Sequence, residues 1–195
     1  ISILILSLFF LLPALKAQKP EVRRILLSGT DKYDSITIYY DSTIWIYKKY
    51  IIKAFQEKGE VGELIQVINR TNKNVLTIKN ESSNHFWGIA NDFLFIYCGT
   101  STVRTLLIYD LKTKHEIFNT TYMDATLKKA ALQNNQLTFF YPYLGDEKPP
   151  TAPDCPDKLK WEQEGGQAGY LEERIFNLKT KKLTKTGKIH CEYFE

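Results

Sequence analysis

The stretch "IYDLKTKHEIF" at 108–118 recurs as "IFNLKTKKLTK" at 175–185 and, more loosely, as "VINRTNKNVLT" at 67–77. Each copy runs from a strand-like segment into a short polar residue, Asn69, Asp110 or Asn177, then a lysine-bearing turn and a return strand. Short polar side chains at such positions hydrogen-bond the backbone of a turn, so the three copies read as one hairpin used three times. A second hairpin precedes each. "SITIYYDSTIWIY" turns at Asp41–Ser42, "HFWGIANDFLFIYC" at Asn91–Asp92 and "LKKAALQNNQLTFFY" at Asn134–Asn135. Two short polar residues between apolar runs are a strong hairpin signal. A chain built this way is an all-β antiparallel meander of about 12 strands, in three four-strand modules at roughly 35–79, 84–123 and 127–194.

The spacing of the repeated turn also exposes what does not belong to it. Asn69 to Asp110 is 41 residues and Asp110 to Asn177 is 67, an excess of 26. Residues 144–169, "LGDEKPPTAPDCPDKLKWEQEGGQAG", are rich in proline and glycine and lack strand alternation, so they read as an inserted loop of that length. Removing it restores the 41-residue period. The wording "IYDLKTK" and "IFNLKTK" resembles the outer hairpin of many non-WD propeller repeats, over about a dozen residues per module. That resemblance implies a small propeller-like sheet array. A barrel or sandwich of the same strands produces the same hairpins. One segment is ambiguous: in "YKKYIIKAFQEKGE" at 47–60, Ile51, Ile52 and Phe55 share a helix face, yet the run extends a strand equally well.

Residues 1–15, "ISILILSLFFLLPAL", are almost wholly apolar, with small residues Ala14 and Ala17 before a polar stretch. A run this short suits a signal-peptide core better than a membrane span, which needs about 20 apolar residues. We therefore expect a cleaved signal peptide at 1–17, a single β-rich domain at 18–195, a secreted or periplasmic location, and no stable membrane span after cleavage. The formal net charge is +4, with lysines and arginines scattered rather than gathered, which does not point to nucleic acid.

Three cysteines in an exported chain allow at most one internal disulfide. Cys155 lies in the insertion and Cys191 near the C-terminal end, two segments that gain from a tether, so these two are the expected pair. Cys98 then remains, a small buried hydrophobe or, on a sharper reading, a thiol nucleophile. Counting outward from the Asn91–Asp92 turn sets His85 opposite it as a base. Nothing in the pattern orients that histidine, and no catalytic residue is assigned. No metal motif or phosphate loop is present: His190 and Cys191 are neighbours that point to opposite sheet faces, and "EGGQAG" follows no strand. No cofactor or metal is expected.

Binding is the remaining class. The insertion carries Trp161 and is flanked by Tyr141, Tyr143 and Tyr170, aromatic anchors amid polar residues that suit an interface. The expectation is a binding or inhibitor-type module for a protein or glycan partner. The alternative is a small extracytoplasmic hydrolase or lyase, which requires His85, Cys98, His115 or His190 to converge with a carboxylate.

Overall fold

The computed structural model describes residues 26–123, 129–144 and 147–194. The expected signal peptide at 1–17 lies outside the described residues. The strands are β1 (Ser35–Ile38), β2 (Ser42–Ile46), β3 (Tyr50–Phe55), β4 (Leu64–Asn69), β5 (Val75–Ile78), β6 (Asn84–Ala90), β7 (Phe93–Cys98), β8 (Val103–Asp110), β9 (His115–Met123), β10 (Ala131–Gln133), β11 (Gln136–Tyr143), β12 (Gln167–Asn177) and β13 (Lys182–Phe194). Among the described residues they form three antiparallel sheets in chain order, β1 to β5, β6 to β9 and β10 to β13, with no closed barrel. The all-β array of modules read from the repeat is therefore present. The ambiguous segment at 47–60 supplies β3, a strand because Ile52 and Ala54 alternate into a buried face while Ile51 and Lys53 face outward.

One turn device recurs in all three sheets. Asn69 Oδ1 accepts from the N–H groups of Thr71 and Asn72 at 2.9 and 3.3 Å. Asp110 Oδ1 takes those of Lys112 and Thr113 at 2.9 and 3.3 Å, and Asn177 Oδ1 those of Lys179 and Thr180, both at 3.0 Å. Each turn closes on a lysine with positive φ, 58° at Lys73, 61° at Lys114 and 55° at Lys181. The residue after each polar cap then donates its N–H to the preceding hairpin turn: Arg70 to Lys49 O, Leu111 to Asp92 O and Leu178 to Asn135 O, at 2.9, 2.8 and 2.9 Å. The two hairpins of a module are thereby fastened at one rim.

These bonds correct the reading of the first module. The counterpart of Asn91–Asp92 and Asn134–Asn135 is Lys48–Lys49, between β2 and β3. The hairpin expected to turn at Asp41–Ser42 turns one residue earlier, at Tyr40–Asp41, because Ser42 already belongs to β2, and it joins the additional edge strand β1 to β2. Asn91, Asp92, Asn134 and Asn135 all have positive φ, the type I′ geometry that short polar residues tolerate. Lys48–Lys49 closes without a left-handed residue, so its sequence carries no turn signature.

Two large cores lie between successive sheets. The first gathers Trp45, Ile52, Ile65 and Val67 of the first sheet with Phe86, Leu94, Ile96 and Leu107 of the second. The second gathers Phe95, Leu106, Ile108 and Tyr122 with Leu137, Phe139 and Phe176 of the third. Each fully buried side chain of this size contributes roughly 1.5–3 kcal/mol. The rims are latched by polar groups: Lys49 bonds Asp92 at 3.0 Å, Tyr50 Oη donates to the same carboxylate at 2.9 Å, and Asn91 Nδ2 donates to Asn135 Oδ1 at 2.9 Å. Burial alone would raise the Asp92 pKa, but the bonds from Lys49, Tyr50 and Lys112 outweigh it and hold the carboxyl below its usual range.

A leading segment ties the inner strands together. Leu27 N–H donates to Trp87 O and Asp31 N–H to Ile89 O, at 2.8 and 2.7 Å, along β6. On its other side Ser28 bridges Ala131 in parallel, and its carbonyl accepts from Leu132 N–H at 2.8 Å. Room there is short. Gly29 has φ +86°, and a Cβ at that position would overlap the Leu132 carbonyl; one at Gly88 would meet the Thr30 side chain at 2.8 Å. Gly29→Ala is expected to lower unfolding stability by about 2 kcal/mol or more, through strained φ and backbone overlap. Chemical denaturation checks this, with an unchanged midpoint as the contrary result.

Candidate functional site

β11 and β12 pair Phe139 with Arg174, Tyr141 with Glu172 and Tyr143 with Tyr170. Directly paired residues share a sheet face, so period-2 alternation sets all six side chains on one side of the third sheet. On that face Arg174 Nε and Nη2 each reach Glu172 Oε2 at 2.8 Å, and the guanidinium lies 3.5 Å over the Tyr141 ring. Tyr143 Oη donates to the same Oε2 at 3.0 Å, and its ring meets that of Tyr141 edge-on at 5.6 Å. Burial and the bond to Glu172 push the Tyr143 phenol up, against the pull of Arg174.

The charges are buried and the rings only partly so. Glu172 is 5% exposed and Arg174 8%, whereas Tyr141, Tyr143 and Tyr170 are half-buried. A buried ion pair adds little stability, because desolvation of both charges offsets most of their attraction. What it does here is position two tyrosine rings and present them without net charge.

The insertion reaches the same face. A short helix, α1 (Lys158–Gln163), carries Trp161, whose ring lies 6.1 Å from that of Tyr193. Tyr193 pairs with Ala168 and Cys191 with Tyr170, so both belong to the tyrosine face. Cys155 and Cys191 form a disulfide with Cα atoms 5.6 Å apart, which fastens the insertion beside α1 to β13. Closing this ~35-residue loop stabilises by roughly 3–4 kcal/mol in the chain-entropy model. The four aromatics singled out in the sequence are therefore assembled at one end of the third module. Glu172 and Arg174 were missed, although "YLEER" spaces Tyr170, Glu172 and Arg174 at the strand period.

The three histidines and Cys98 do not gather at one place, although Cys98 has one carboxylate, Glu116, near it. A β-bulge at Trp87, between Phe86 and Gly88, shifts the register, so His85 pairs with Tyr97 and Asn84 stands opposite Cys98. This corrects the expected His85–Cys98 pairing, because symmetric counting from the turn does not allow for an extra residue. His85 stacks on Tyr97 at 4.8 Å, His190 lies beside Phe140 at 6.1 Å on the opposite face of the third sheet, and His115 begins β9. Cys98 Sγ–H donates to Asn84 Oδ1 at 2.9 Å, and burial, with the nearby Glu116, pushes the thiol up to about 11.

Cys98 borders a cavity of about 540 Å³ between the first and second sheets, with Leu76 and Ile78 on one side and Tyr109, Glu116 and Asn119 on the other. Tyr109 Oη donates to Glu116 at 3.3 Å, and burial ahead of that carboxylate pushes the phenol up to about 12. Among the described residues no group of three or more His, Cys, Asp or Glu side chains gathers as metal ligands, and no helix is long and apolar enough to cross a membrane. No known protein family, curated protein or solved structure matches the chain.

With its thiol pushed well above neutrality by burial, Cys98 is held as the thiol at pH 7. Native protein treated with iodoacetamide at that pH is expected to stay unmodified at Cys98 and to be alkylated after denaturation. Rapid native labelling, read by mass spectrometry, would contradict the burial described.

Proposed function

We propose that the protein is an extracytoplasmic binding module whose ligand is a neutral glycan, held against the tyrosine face of the third module. The observation that carries this reading is the pairing of partly buried Tyr141 and Tyr143 rings with a Glu172–Arg174 pair that cancels its own charge. Sugar rings present C–H groups to aromatic faces and hydroxyls to fixed polar groups. An apolar platform with a few oriented polar side chains meets both needs. An anionic ligand would need an uncommitted cation, and the Arg174 guanidinium is engaged by Glu172. The stapled insertion favours an oxidising compartment, where a disulfide persists.

Glycoside hydrolysis is the alternative on the same surface, and it ordinarily takes two carboxyl groups flanking the bond. Among the described residues on the strands of this face, Glu172 alone supplies a carboxylate, and it is bound to Arg174 and Tyr143. That favours retention over turnover.

The test is titration calorimetry of the disulfide-bonded protein with a panel of neutral oligosaccharides, after screening on a glycan array. Tyr141→Ala and Tyr143→Ala are each expected to weaken binding by about 10-fold or more, the loss of one stacking contact. Tyr143→Phe keeps the ring and is expected to cost less. Absence of saccharide binding, with a protein captured through the same tyrosines, would replace the glycan by a protein partner. Release of shortened oligosaccharides would establish the hydrolase instead.

A further inference from the structure

The outward face of the first sheet is apolar where water-facing strands are normally polar. Ile44, Ile46, Ile51, Phe55, Leu64 and Ile68 all point away from the core and are partly exposed, and Val75 beside them is 47% exposed. Among the described residues no buried cluster forms on that face. An antiparallel sheet with one solvated face alternates apolar and polar, whereas β2, β3 and β4 are largely apolar on both sides. An exposed patch of this kind marks an interface.

The repeat says what kind of surface fits it. Aligned on the turns at Lys49, Asp92 and Asn135, the second residue after each turn is Ile51, Leu94 or Leu137, and the third is Ile52, Phe95 or Thr138. Leu94 faces the first module and Leu137 the second. Ile52 faces the second module and Phe95 the third. Every module thus meets its predecessor through one face and its successor through the other. Two faces are left without a neighbouring module by this rule. They are the Ile51 face of the first module, which takes a predecessor, and the Thr138 face of the third, which takes a successor and on which Phe140 and Leu171 are already buried with Met123. Ile175 pairs with Thr138 and shares that second face with Glu173, the partner of Phe140. Lys53 lies on the first face, and Glu173, ion-paired with Lys188, lies on the second.

We propose that the Ile51 face is occupied by the Thr138–Ile175 face of a second copy of this chain, head to tail. Two copies joined at both ends place six modules in a closed array, within the four to eight usual for rings of such sheets. The interface uses neither Tyr141 nor Tyr143, so it stands independently of the glycan reading.

The test is the solution mass of the full chain, by light scattering and sedimentation at micromolar concentration. Wild type is expected at twice the chain mass, and Ile51→Glu and Ile175→Glu each at the chain mass, with unchanged circular dichroism. Mixing the two variants restores a dimer through the one intact pair of faces. Should either variant misfold, Lys53→Glu and Glu173→Lys serve instead, each loosening the dimer and the two combined in one chain restoring it. A monomeric wild type, or a dimer that survives Ile175→Glu in folded protein, overturns the proposal.

Discussion

The bond from the residue after each polar cap to the carbonyl of the hairpin turn before it organises the whole array. Arg70, Leu111 and Leu178 make it in successive modules, to Lys49, Asp92 and Asn135. Without it, the β2–β3 and β4–β5 hairpins and their counterparts are pairs joined only by their shared ladder. With it, both turns of a module form one rim. Polar contacts between modules are made at those rims too, Lys49 to Asp92 and Asn91 to Asn135. Asp92 shows the dependence most directly, since its carbonyl holds Leu111 and its carboxylate holds Lys49, Tyr50 and Lys112. The cores beneath supply most of the free energy, but burial is non-directional and would tolerate several sheet orientations. The rims select one.

The leading segment acts along the inner strands. Leu27 is buried in the second core and its backbone bonds β6, while Ser28 bonds the neighbouring β10. Residues distant in sequence from the third module thus help to hold its short inner strand. β10 has only three residues and pairs on one side with β11 alone, so this extra partner completes its hydrogen bonding.

The repeat was legible because turn chemistry is local. Asn69, Asp110 and Asn177 announce themselves by type, and a left-handed pair such as Asn91–Asp92 leaves a residue signature. Lys48–Lys49 leaves none, since lysines in ordinary turn geometry look like lysines anywhere, and the first module was consequently started one hairpin early. The bulge at Trp87 was hidden for a related reason: an inserted residue in an apolar run changes register without changing composition. At the candidate site, the aromatics were visible as residues of the loop and its flanks. Their assembly on one face with Glu172 and Arg174 required the β11–β12 register, which the 26-residue insertion obscured by separating the strands.

The claim that one fastening recurs in three modules is tested most directly by native-state hydrogen exchange at the amides of Arg70, Leu111 and Leu178. If those bonds are structural, all three exchange slowly and converge on the same opening free energy as core amides of β4, β8 and β12. Exchange of any one at the rate of an open turn, while its neighbouring strands stay protected, would contradict the account for that module.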